Sequence, residues 1–68
     1  MSADAKVYQE NNLWYGVHDG PCSPGSMPHN QGEYSLTFLM DELEQCTGTL
    51  RWEMFQYPNG LGLRGFVV

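Results

Sequence analysis

SLTFLMDELEQC, Ser35 to Cys46, is the stretch on which the reading of the whole chain turns. At about 100° per residue, Leu39, Met40, Leu43 and Cys46 fall within roughly 80° of Leu36. Asp41, Glu42, Glu44 and Gln45 take the rest of the wheel. The pattern predicts an amphipathic helix with one apolar stripe and an acidic outer face. Ser35 has the hydroxyl that an N-cap needs to accept a bond from an orphaned backbone N–H. Tyr34 and Leu39 are spaced for a hydrophobic staple. Gly48 suits a left-handed helix end. Two features go beyond a purely structural helix. Phe38 lands at about 200° on the same wheel, among the acids. The acids also lie in the middle and later turns, where the helix dipole disfavours them by some tenths of a kcal/mol each.

Working outward from the helix, Thr49 to Tyr57 reads as a strand. Leu50, Trp52 and Met54 share one face, and Arg51, Glu53, Phe55 and Tyr57 the other. Pro58, Asn59 and Gly60 signal a turn, and Leu61 to Val68 returns as the last strand. A two-residue Asn59-Gly60 loop of the type I′ class sets Phe55 opposite Arg64, Glu53 opposite Phe66 and Trp52 opposite Val67. The core face then comprises Leu50, Trp52, Met54, Leu63 and Val67. The other face carries Phe55, Tyr57 and Phe66, and the N-terminal segment is expected to fold across those rings. Upstream of the helix, residues 20–32 hold three prolines and three glycines in thirteen residues. That composition predicts a loop, of a length uncommon in a compact domain unless it is functional or mobile. Leu13 to His18 alternates like a strand. Lys6 to Gln9 is a weaker strand, joined to it through Glu10, Asn11 and Asn12. Residues 1–5 are expected to be disordered.

The expected architecture is α+β. A single small domain, 1–68, packs an antiparallel sheet of three to four strands on one helix, in the order β(β)αββ. Sixty-eight residues bury only about 60% of their unfolded surface, so such a domain is marginal. The start of the chain has no basic region followed by an apolar core, so no signal peptide is expected. No apolar run reaches transmembrane length. The expectation is a cytoplasmic, monomeric protein with reduced thiols.

Eight acids against three bases give a formal charge of −5. Lys6, Arg51 and Arg64 are too few and too scattered in sequence for a nucleic-acid footprint. Direct binding to nucleic acid or membrane is therefore not expected, and a basic protein surface is the natural partner. Catalytic alternatives are weak. His18, Cys22, His29 and Cys46 are zinc-ligand types without zinc-site spacing. Cys22 with His29 lacks the electropositive setting of an activated thiolate. Asp41, Glu42 and Glu44 on a helix surface titrate as solvated acids rather than as a general acid–base set. Gly60 to Gly65 has no strand-to-helix lysine for phosphate. No cofactor, metal or catalytic residue is expected, and the chain reads as a non-enzyme.

What remains is an acidic contact surface. The candidate partner-binding residues are Glu33, Phe38, Asp41, Glu42, Glu44 and Glu53. Carboxylates spaced along a rigid element can occupy an Arg/Lys groove built for phosphates, with Phe38 as apolar anchor. One short acidic domain with no catalytic kit, a β-hairpin and an acidic helix resembles the small inhibitors of phages and mobile elements, notably the anti-CRISPR proteins. These share no common fold or motif, so no family residues carry over. The resemblance implies inhibition by occupancy: the protein would cover a basic surface on a CRISPR effector subunit and exclude DNA. One alternative is a structural or accessory protein that associates through its aromatic sheet face. A second is a small zinc- or thiol-dependent protein using Cys22 and His29.

Overall fold

A computed structural model describes residues 3–21 and 31–68. Four strands and one helix follow in the order β1 (Ala5–Glu10), β2 (Leu13–His18), α1 (Leu36–Thr47), β3 (Leu50–Tyr57) and β4 (Gly60–Val67). The strands form one antiparallel sheet in the order β2-β1-β4-β3. The fold is α+β, as the hydrophobic periods predict.

Each hairpin is set by its turn residues. Asn11 and Asn12 have φ of 53° and 67°. That left-handed pair is the type I′ signature, and Asn tolerates it better than most residues. Tyr8 therefore faces Tyr15, and Val7 faces Gly16. The second turn departs from expectation. Its two loop residues are Pro58 and Asn59, with Tyr57 opposite Gly60. Pro58 explains the change: its fixed φ suits the first central position of a turn, and it has no N–H to give to a ladder. The register moves by two residues, so Glu53 faces Arg64, Phe55 faces Gly62 and Trp52 faces Gly65. A shift of two leaves every side chain on its expected face.

The weakest expected strand, β1, sits in the middle of the sheet. It pairs with β2 on one side and with β4 at Ala5 to Val7 on the other. Within the start expected to be disordered, Ala3 to Ala5 are ordered. Ala3 is buried, the Asp4 N–H donates to the Gly65 carbonyl at 2.9 Å, and Asp4 Oδ2 accepts from the Val67 N–H at 2.8 Å. The N-terminal segment thus widens the sheet rather than crossing its aromatic face.

The core is Val7, Leu39 and Leu43, with Trp14, Leu36, Trp52 and Leu63 packed against it. Burying Val7, Leu39 and Leu43 contributes about 1.5–3 kcal/mol each. The helix lies over β2 and approaches it closely at Gly16, where an added Cβ would stand 2.8 Å from Leu43 Cδ1. Because the helix sits toward that end, it leaves part of β3 and β4 uncovered. Two residues expected in the core are exposed for this reason, Met54 at 69% and Val67 at 52%. The helix starts at Ser35, whose Oγ accepts from the Phe38 N–H at 3.2 Å. It ends at Gly48, with φ of 95°. The expected staple does not form: Leu39 is buried but Tyr34 is 88% exposed. No described helix is long and apolar enough to cross a membrane.

Candidate functional site

The expected contact residues do not form one patch. Phe38, Asp41 and Glu42 are three and four residues apart, so they neighbour one another on the helix surface. Phe38 is 53% exposed, Asp41 is exposed and Glu42 half-buried. Exposed Tyr34 precedes them just outside the helix. Together they form an acidic and aromatic row on the outer helix side.

Glu33 is half-buried, and its backbone bridges to Trp14, donating at 2.8 Å and accepting at 2.7 Å. It covers part of the outer edge of β2 just before the helix. Glu44 has a structural task. Its carboxylate accepts from the Leu50 N–H at 2.8 Å, joining the last helical turn to the first residue of β3.

Glu53 does not join the helix acids. Alternation along β3 sends it to the sheet face opposite the helix. There its carboxylate accepts from Arg64 at 2.7 Å and from Arg51 at 3.3 Å. Those two guanidiniums, Arg64 first, hold its carboxyl below the ordinary carboxylate range.

Sequence reading missed the continuity of this open face. Tyr8 stacks on Tyr15 at 5.9 Å and meets Tyr57 edge-on at 6.2 Å. Tyr57 meets Phe55 at 4.9 Å. Arg64 lies 4.2 Å over Phe55 and 5.5 Å over Phe66, and Arg51 lies 5.0 Å over Phe66. Burial raises the Tyr57 phenol above its usual value, against a smaller opposing pull from Arg64. Its hydroxyl donates to the Leu63 carbonyl at 3.0 Å. Lys6 alternates onto this same face, beside Arg64. All three Lys and Arg residues of the chain therefore sit on the open sheet face. The signal lay in the β1–β2 hairpin, whose register lines up Tyr8 with Tyr15 once the Asn pair is taken as the turn.

Between the helix start and the uncovered part of the sheet runs an open apolar trough of about 240 Å³. It is lined by Trp14, Leu36, Met54, Leu61, Gly62 and Leu63. Of the possible zinc or thiol residues, His18 ends β2 with its Nδ1 3.0 Å from the Asp19 carbonyl. Cys46 is a half-buried cysteine in the last helical turn. Cys22 and His29 lie outside the described residues. Among the described residues, no three His, Cys, Asp or Glu side chains gather closely enough to hold a metal. The chain matches no protein-family model, no curated protein and no solved structure.

Proposed function

We propose that the protein is a non-enzymatic inhibitor that works by occupancy. It presents its acidic helix side to a basic, nucleic-acid-binding surface of a target protein in the cytoplasm. The observation that carries this reading is the segregation of charge. Every Lys and Arg lies on the open sheet face, which leaves Asp41, Glu42 and Glu44 on a helix that carries no Lys or Arg of its own. Such one-signed surfaces steer oppositely charged partners and raise encounter rates. Tyr34 and Phe38 give the same side exposed rings, and aromatic anchors dominate many interfaces. An anti-CRISPR protein that denies DNA to a CRISPR effector is the specific instance we favour.

A second reading draws on the open face. No described segment covers its rings, and a structural or accessory protein would associate there. The two readings differ in their salt response. Capture from a bacterial lysate at low salt, followed by a high-salt step, separates them. Release at the step of a nucleic-acid-binding protein, and loss of that protein's DNA binding when the inhibitor is added back, supports occupancy by the acidic side. Partners that stay bound through high salt and are lost with Phe66→Ala support the sheet face instead.

A further inference from the structure

We infer that two copies of this chain pair through β3, strand to strand and antiparallel, to make one continuous eight-stranded sheet across a two-fold axis. The inference starts from the difference between the two sheet edges. The β2 edge is partly covered, because Glu33 bridges Trp14 through both backbone bonds. The β3 edge ends the sheet with no described strand beside it. Edges are usually blunted by shortness, a bulge, proline or lysine. β3 has none of these. It runs eight residues, LRWEMFQY, in unbroken register with β4. Its two charges, Arg51 and Glu53, are already turned to each other on the open face.

The backbone says which groups wait at that edge. The Leu50 N–H points away from β4, to Glu44. In an antiparallel strand the N–H and C=O of alternate residues point the same way. Trp52, Met54 and Gln56 therefore turn their backbone groups outward as well. Pairing about Met54 uses just these three: Met54 meets Met54 of the second copy, and Trp52 meets its Gln56. The next pair outward would set Leu50 against Pro58. Leu50 has its N–H occupied by Glu44, and Pro58 has none, so the ladder ends there without an unpaired donor.

Side chains favour the same register. Met54 is the most exposed of the large hydrophobic residues on the helix-side surface of β3 and β4 and lines the apolar trough. Pairing about it covers two such methionines at once. On the other face Arg51 meets Tyr57 of the second copy, and Glu53 meets its Phe55, so no charge faces its like. Sliding one step to centre on Glu53 would instead set two carboxylates opposite each other, which is unfavourable. Because each copy carries −5, the pairing strengthens as salt screens their repulsion. Acidic-side binding to a basic partner has the opposite salt response, so the two claims fail separately.

The test is the mass in solution of the full chain by sedimentation equilibrium, over a range of concentrations and at low and high salt. The expected result is a monomer–dimer equilibrium that shifts toward dimer with salt. Met54→Lys and Gln56→Pro should each shift it at least tenfold toward monomer, with unchanged far-UV circular dichroism. Gln56→Pro removes an N–H that faces outward, where an edge strand tolerates proline. If one variant loses its fold, the other still reports. A chain that stays monomeric at every concentration and salt overturns the inference. So does a dimer that survives both variants, or one that is lost only with Phe66→Ala on the open face.

Discussion

Removing the Glu44 carboxylate should weaken the fold, while removing its neighbour Asp41 should not. Glu44 accepts from the Leu50 N–H at 2.8 Å and is half-buried, whereas Asp41 is exposed. A hydrogen bond to a charged group contributes about 1.5–3 kcal/mol. Partial exposure lets water replace some of it, which leaves about 1 kcal/mol for Glu44→Ala. Alanine is the better helix former, so propensity works against this loss and cannot create it. A domain of 68 residues has a total stability of about 3–10 kcal/mol. A loss of 1 kcal/mol lowers the Tm of so small a domain by about 4–8 °C. Glu44→Gln keeps an acceptor oxygen and should fall between wild type and Glu44→Ala. Asp41→Asn should stay within about 0.5 kcal/mol of wild type, as surface changes usually do. Thermal melts followed by circular dichroism read all three. A Glu44→Ala protein that melts with wild type, or no earlier than Asp41→Asn, refutes the tether. The result also bears on function, because reversing Asp41, Glu42 and Glu44 together would damage the fold and the contact surface at once. A clean charge reversal is confined to Asp41 and Glu42.

Leu43→Ala removes a side chain with no exposure and should cost about 3 kcal/mol, read as a lower urea midpoint. Phe38→Ala should change the urea midpoint little, although both residues lie on the same helix. Glu53→Gln tests the open face by pH. Its folded carboxyl is held low by Arg64 and then Arg51, so its contribution is present above the ordinary carboxylate range of about 4 and is lost as pH falls through the lower folded value. Between pH 7 and pH 3 wild type should lose more stability than Glu53→Gln, and equal losses would contradict the pairing. Gly62→Ala should destabilise by about 1–3 kcal/mol, since its new Cβ would run into the Val7 carbonyl and the Tyr57 ring. Gly65→Ala, whose new Cβ would have the Leu50 and Trp52 side chains as its nearest neighbours, at 3.1 Å, should cost less in the same melt.

The helix, both hairpins and the alternation of faces were legible in the sequence because each rests on a local period or turn. Pairings between distant segments were not. Nothing local marks β1 as a central strand, since Val7 is buried by distant segments, against Leu39 and Leu43 of the helix and beside Leu63 of β4. The exposure of Met54 and Val67 likewise depends on where the helix comes to rest over the sheet, and Gly16 directs it toward β2. The candidate site was half legible. The helix wheel separates Phe38, Asp41 and Glu42 from the apolar stripe. It also places Glu44 at about 80°, at the border of that stripe, which fits its bond to β3. Charge alone groups Glu53 with the helix acids. Strand alternation, already visible in LRWEMFQY, puts it with Arg51 and Phe55 instead.

The central claim is that the acidic helix side is the binding surface. The most direct test compares capture of partners from a bacterial lysate by wild type and by Asp41→Lys/Glu42→Lys, both confirmed to be folded, across rising salt. The account predicts that wild type holds a nucleic-acid-binding protein at low salt and releases it as salt rises, and that the double variant captures none of it. Equal capture by the two proteins, or capture that does not weaken with salt, would contradict it.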